Sequence, residues 1–136
     1  MYYEDDVRLY VIVRSDLVSM TPGKAAAQAT HAANQCVWEI ANSPTRTNYH
    51  TRTLLLKAWE GDRSFGTCIV LAAPIAELTK IIIQCSQHGI HSGIIHDPSY
   101  PLRDGDFTHL IPLDTCGYVF GTKEEAEPFL NRLPLL

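Results

Sequence analysis

Several familiar patterns are missing from this 136-residue chain, and each absence removes a class of function. No apolar run reaches the roughly 18 residues that a membrane-crossing helix requires. The start, MYYEDDVRLY, carries acids where a secretory leader carries bases, and it lacks a leader's apolar stretch. Together these point to a cytoplasmic protein with no membrane partner. The four cysteines, Cys36, Cys68, Cys85 and Cys116, form no C-x-x-C pair. Each sits in an apolar stretch, which predicts reduced, small core residues rather than a disulfide or zinc site. No glycine-rich phosphate loop follows a strand, and no G-x-S-x-G elbow is present. There is no internal repeat and no low-complexity linker.

Positive charge is also scarce: 11 Lys and Arg face 15 Asp and Glu, for a net charge of −4. Phosphate contacts need cations, so the sum disfavours a nucleic-acid partner. The distribution is less even than the sum. Residues 42–64 hold Arg46, Arg52, Lys57 and Arg63 against Glu60 and Asp62, whereas residues 104–127 hold six acids against Lys123 alone. Both segments also fit solvated surface.

What is present reads as one domain over residues 1–136. The length is near the commonest domain size and suffices to bury a core. With 46% apolar and 19% charged residues, the composition is that of a globular protein. VRLYVIVR (7–14) is a strand with nearly uninterrupted β-branched and aromatic residues, as in a strand covered on both faces. Thr21 is a suitable N-cap and Pro22 a suitable first residue for a helix reaching about Ile40. A second helix is expected over 48–59, closed by Gly61, and a second strand over 65–73. An amphipathic helix follows over 75–88, closed by Gly89. A third strand is expected over 90–96, then a rigid turn at Asp97-Pro98-Ser99-Tyr100-Pro101 and a polar loop to about Thr108. A fourth strand is expected at Gly117–Phe120, with an extended stretch at His109–Leu113 before it. Thr122-Lys123-Glu124-Glu125 is a capping box that opens a last short helix. The alternation predicts an α/β fold: a mixed four-stranded sheet with helices on both faces.

The first helix is the informative element. At about 100° per residue, Lys24, Gln28, His31 and Gln35 fall within about 60° of one another. Ala26, Ala29, Ala33, Cys36, Val37 and Ile40 fall opposite, giving a small apolar face for close packing on a sheet. A solvated face normally carries Glu and Lys at i,i+4, and this stripe has none of those pairs. Lys24 also lies in the first turn, where the helix dipole disfavours a cation.

Residues 13–32, V-R-S-D-L-V-S-M-T-P-G-K-A-A-A-Q-A-T-H-A, resemble the signature of the peptidyl-tRNA hydrolase type 2 family, roughly V-R-x-D-L-x-M-x-x-G-K-x-A-A-Q-x-x-H-A. The step from D-L to M is one residue longer here. The resemblance implies a metal-free, cofactor-free hydrolysis in the cytoplasm of the ester between a peptide and the 3′ end of tRNA. Lys24 would be the active-site lysine, with Gln28 and His31 lining the same surface. Asp97 would match the family's loop aspartate, and Thr115 a threonine at the start of the last strand, with Thr108 as a second candidate. The loop departs from the family pattern: D-A-G-x-T reads D-P-S-Y-P here, so the glycine is Ser99 and the threonine is Pro101.

Ester hydrolysis needs an activated water, a stabilised oxyanion and a positioned substrate. Asp97 would serve the water, Lys24 the developing charge, and Thr115 or Ser99 the oxyanion. Lys24 and Asp97 within reach of each other would hold one another ionised. His31 would support substrate, and Tyr100 would contact it, with Trp38 and Trp59 as further residues for stacking or core packing. The tRNA backbone would meet Arg14, Arg46, Arg52, Lys57 and Arg63, with the acidic C-terminal third facing away. His91, His96 and Asp97 do not form a metal site on this reading, because residues five apart on a strand face opposite sides. The changed loop and the negative charge suit a second reading, a non-enzymatic RNA- or protein-binding module on the same fold. An exposed sheet edge would allow a homodimer.

Overall fold

The computed structural model describes residues 6–43, 48–62 and 65–136. Arg46 and Arg63, two of the expected tRNA contacts, lie outside these residues. The elements are β1 (Val7–Arg14), α1 (Pro22–Ala41), α2 (Tyr49–Glu60), β2 (Thr67–Ala73), α3 (Ile75–Gln87), β3 (His91–Asp104), β4 (Phe107–Thr122) and α4 (Lys123–Leu130). The strands form one mixed sheet in the order β2-β1-β4-β3. Only β1 and β2 run parallel, and the other pairs are antiparallel.

The period-two rule explains how the central strand serves two cores. Leu9, Val11 and Val13 of β1 join Ala25, Ala32, Cys36 and Ile40 of α1 and Leu55, Leu56 and Trp59 of α2. The alternate residues Tyr10 and Ile12 join Leu78, Ile81, Ile82 and Cys85 of α3 and Ala126 and Leu130 of α4. Helices α1 and α2 therefore cover one face of the sheet, and α3 and α4 the other. Both cores are dominated by aliphatic side chains removed from water, at about 25 cal/mol for each Å2 of apolar surface.

The largest difference from the sequence expectation lies after Ile95. The expected turn and polar loop are instead a long antiparallel hairpin, with β3 and β4 paired from His91↔Phe120 out to Asp104↔Phe107. Pro98 and Pro101 made this stretch read as a turn. Pro98 and Pro101 are tolerated because β3 is an edge strand, where a missing N–H need not break a ladder, and Pro112 lies on β4 beyond the stretch that pairs with β1. A register shift between Asp97 and Tyr100 sets Pro98 and Ser99 against Pro112 alone, which is a bulge. Gly105, at φ 58°, makes the tight reversal at the tip. The second strand also starts at Thr67 rather than 65.

Two further corrections concern exposure. Cys68 is exposed near the start of β2, whereas Cys36, Cys85 and Cys116 are buried as expected. The β2 edge is partly closed by the C-terminal residues: Leu71 bridges Leu135, the Ala72 N–H donates to the Pro134 carbonyl, and the Leu136 N–H donates to the Val70 carbonyl.

The capping box is formed as expected. The Glu125 N–H donates to Thr122 Oγ1 and the Thr122 N–H donates to Glu125 Oε1. This box anchors α4 directly to the end of the central strand β4. Thr122→Ala is expected to destabilise the protein by about 1 kcal/mol, read as a lower urea midpoint with an unchanged slope, and Thr122→Ser to restore most of it.

Candidate active site

Helix α1 starts where the sequence says it should, with Thr21 Oγ1 accepting from the Lys24 N–H. Its buried line, however, is Ala25, Gln28, Ala32, Cys36 and Ile40. Relative to the expected apolar face the helix is rolled toward its polar stripe, and Ala26 is exposed. The cause is Gln28, which is 4% exposed instead of solvated.

The buried amide joins three elements. Gln28 Nε2 donates to Asp97 Oδ2 at 2.9 Å, and Thr115 Oγ1 donates to Gln28 Oε1 at 2.6 Å. A carboxylate only accepts, so the NH2 end must face Asp97 and the carbonyl must face Thr115. The second Asp97 oxygen accepts from the Ser99 N–H at 2.9 Å, an Asx-type turn across Pro98. Asp97 is thus held by two neutral donors, not by Lys24. Below Gln28, the Cys116 thiol donates to its main-chain carbonyl at 3.5 Å. Burial pushes the Cys116 thiol up to about 12, so it stays a donor.

Lys24 lies one turn earlier on α1. Its ammonium donates to the Pro101 carbonyl at 2.6 Å and stands 5.0 Å from the centre of the Tyr100 ring. The expected Lys24–Asp97 ion pair is therefore replaced by a lysine on a carbonyl and an aromatic face. Tyr100 itself is 0% exposed, with its hydroxyl 3.0 Å from Ser19 Oγ. It offers no free face for a base to stack on and serves as the floor beneath the ammonium. Ser99 is exposed beside it.

Further along α1, His31, Asn34 and Gln35 face Ile95, His96, Asp97 and Pro98 across an open cavity of about 290 Å3. The contacts run in step: Lys24 meets Pro101, Gln28 meets Asp97, and the Cys36 carbonyl lies 3.2 Å from His91 Nε2. Helix α1 and strand β3 thus run in opposite directions along one seam. Trp38 projects from α1 with 64% exposure, while Trp59 is buried, edge-on to Phe120, and donates to the Thr67 carbonyl.

Arg14 is a brace rather than an open cation. Its guanidinium grips Asp16 through two bonds of 3.0 Å and donates a third to the Asp114 carbonyl at 3.1 Å. The same contact holds the Asp16 carboxyl below the usual range. Thr115, expected just before the last strand, lies within β4 at 0% exposure. Thr108 is exposed near the hairpin tip, where it pairs with Arg103. Asp114, one of the acids expected to face away, has its Oδ1 2.8 Å from His96 Nδ1. Sequence reasoning did not select that pair for catalysis, since no local spacing links residues on two strands. His91 is buried under α1, and among the described residues no three His, Cys, Asp or Glu side chains converge as a metal site.

The amide linkage has a direct test. Gln28→Leu strands the buried Thr115 hydroxyl and removes a donor from Asp97, so it is expected to cost about 2 kcal/mol in urea unfolding. Adding Thr115→Val to Gln28→Leu should recover part of that loss, because the stranded hydroxyl is then gone, and a double-mutant cycle reads the coupling.

With this geometry established, comparisons with known proteins bear on it. The family model described as Peptidyl-tRNA hydrolase PTH2 matches residues 7–113. The matched stretch includes Arg14, Lys24, Gln28, His31, Asp97, Ser99 and Tyr100 and stops before Thr115. Peptidyl-tRNA hydrolase 2 of Saccharomyces cerevisiae is 31% identical to this chain over 93 residues, which is 68% of this chain and 42% of that protein. The chain therefore spans less than half the length of that relative. A family match over most of the chain, on the four-stranded mixed sheet described above, shows that this chain belongs to the peptidyl-tRNA hydrolase PTH2 family.

Proposed function

We propose that the protein is a peptidyl-tRNA hydrolase, cleaving by a metal-independent route the ester that joins a peptide or aminoacyl group to the 3′ end of tRNA. The observation that carries this reading is the seam itself. A half-buried lysine and a carboxylate fixed by a buried amide stand along one groove open to solvent. Family membership supplies the substrate class.

The contacts refine the roles. The Thr115 hydrogen is already given to Gln28, so Thr115 acts by fixing the amide that fixes Asp97. Ser99 is exposed and remains the hydroxyl for an oxyanion. Lys24 rests on a neutral carbonyl, and an oxyanion or phosphate oxygen is a stronger partner for an ammonium. Binding would exchange one for the other. His31 and Gln35 line the cavity in which the acyl-bearing end of the substrate would lie.

The charge layout fits an RNA substrate. Arg52 and Lys57 belong to α2, on the same face of the sheet as α1. Glu124, Glu125 and Glu127 belong to α4, on the opposite face. No helix among the described residues is long and apolar enough to cross a membrane. On this reading the protein works in the cytoplasm, alongside translation.

The deciding assay mixes the pure protein with a peptidyl-tRNA analogue and follows release of free peptide. Lys24→Ala and Asp97→Ala are each expected to lower turnover by about 100-fold or more, the range for losing a charge-stabilising or water-orienting group. Tight retention of the tRNA without turnover in the unmodified protein would instead favour the binding-module reading. If the backbone contacts are electrostatic, KM should rise steeply with added salt, whereas a flat response would oppose a tRNA substrate.

A further inference from the structure

Strands β3 and β4 run on past the rest of the sheet. Strand β4 pairs with β1 from Cys116 to Thr122, and from Phe107 to Leu113 its pairing is with β3. A two-stranded arm therefore projects from the sheet. Helix α1 begins over Pro101, whose carbonyl receives the first-turn Lys24, and the arm continues beyond that first turn.

The pairing fixes which side chains share the side of the arm that faces α1. Tyr100 lies under the Lys24 ammonium and pairs with Ile111. By the two-residue period, Leu102 and His109 follow on that side, and then Asp104 and Phe107. His109 Nε2 stands 3.6 Å from Asp104 Oδ2, a diagonal contact between neighbours on one face. Leu102 and Ile111 are half-buried, and Phe107 is 72% exposed. These three side chains form an apolar shelf that starts where Lys24 stands. Arg103, Thr108 and Leu110 alternate to the other side. Exposed apolar surface that continues from a candidate site is a natural place for a ligand to lie.

Charge selects which part of the substrate fits. Of Leu102, Asp104, Phe107, His109 and Ile111, none is a lysine or arginine. Asp106 adds a second acid in the turn between the strands. A single-stranded nucleic acid needs a cationic groove along its backbone, and these acids repel phosphates instead. The cations assigned to the tRNA backbone belong to α2. Its N-cap, Asn48, lies beside Gly89, just before β3 begins, and Arg52 follows one turn later. Helix α2 and the arm tip are therefore at opposite ends of β3, with Asp97 between them.

We propose that the α1-facing side of the β3–β4 arm holds the peptide part of the substrate; the proposal rests on the peptidyl-tRNA hydrolase reading and assigns the two ends of the seam to the two ends of the substrate. With the 3′ end of tRNA in the cavity beside His31, the acyl chain passes Lys24 and runs out along the arm. From Pro101 to Asp104 the strand spans about 10 Å, which an extended peptide covers in about three residues. An open shelf rewards apolar side chains without demanding one of them. Phe107 is the contact residue furthest from the ester, so its loss is felt only by a peptide long enough to reach it.

The test measures kcat/KM on two tRNA substrates, one carrying a single acetylated amino acid and one an acetylated peptide of four apolar residues. The unmodified protein, Phe107→Ser, Leu110→Ser and Lys24→Ala are compared, and inhibition by uncharged tRNA is read for each. The unmodified protein should prefer the longer substrate by about tenfold, the range for partly burying a large apolar side chain, and Phe107→Ser should lose most of that preference. Phe107→Ser should keep its rate on the short substrate and its inhibition by uncharged tRNA. Leu110→Ser, comparably exposed (67%) on the other side of the arm, should keep both the preference and the inhibition. Equal losses on the two substrates with weaker inhibition by uncharged tRNA would assign the shelf to RNA and overturn the proposal. Equal losses alongside a dimer that Phe107→Ser dissolves in sedimentation would assign it to a second copy of the chain, with the same consequence. A length preference that is absent, or that Phe107→Ser retains, while Lys24→Ala is inactive overturns the shelf and leaves the hydrolase reading standing. Absence of turnover in the unmodified protein overturns both.

Discussion

The arrangement depends on a single buried primary amide. Gln28 is the one long polar side chain that α1 turns into the core, where its two ends meet an obligate acceptor and a hydroxyl donor. An amide is the group that can donate at one end and accept at the other without carrying charge. A glutamate in its place would set one carboxylate against another, and a leucine would leave the buried Thr115 hydroxyl without its partner and take one of two donors from Asp97. Satisfying this amide fixes the roll of α1 about its axis. That roll turns Ala26 to solvent, seats Ala32 in the core and leaves Lys24 and His31 flanking the same groove. The polar contact and the hydrophobic packing therefore define one helix orientation together.

From that orientation the rest of the seam follows. With α1 antiparallel to β3, each successive turn of the helix meets an earlier stretch of the strand, from Pro101 through Asp97 to His91. A helix rises about 1.5 Å per residue and a strand about 3.3 Å, so a regular strand would run ahead of the helix. The two register shifts, at Ile95/His96 and Asp97/Tyr100, fall within this contact zone. The shift at Asp97/Tyr100 takes up β3 chain where the helix is slow, and the shift at Ile95/His96 adds its extra residue, Thr115, to β4, where it meets Gln28. The bulges are thus part of the site's construction, and the prolines that mark them are compatible with the edge position of β3.

Much of this was legible in the sequence, and the losses have physical reasons. Strand β1, the capped start of α1 and the capping box of α4 depend on neighbours in the chain, and all three were readable. The family signature lies wholly within β1, α1 and the turn between them, so its residues were found together. The hairpin was missed because Pro98 and Pro101 argue locally for a turn, and only the sheet order reveals that their strand is an edge. The roll of α1 was misjudged because glutamine was counted as a solvent-seeking residue, and its two partners lie 69 and 87 positions away. Cys68 was taken for a core residue because its neighbours are apolar, but it sits on an edge strand near its exposed start. The His96–Asp114 pair is a tertiary fact, its members 18 positions apart on two strands.

The departure of D-P-S-Y-P from the family loop is best judged by what the geometry preserves. Pro98 fixes its own backbone φ, which favours the turn that brings the Ser99 N–H onto Asp97. The carboxylate is therefore still oriented, though the glycine is gone. Pro101 has lost a threonine's hydroxyl, but its carbonyl receives the Lys24 ammonium, and the preceding Tyr100 supplies a ring beneath it. The loop thus changed its side chains and kept two functions, holding the aspartate and stationing the lysine. What it gave up is a side-chain hydroxyl at position 101. What stays exposed at the loop is the hydroxyl of Ser99, next to the carboxylate that its own N–H holds.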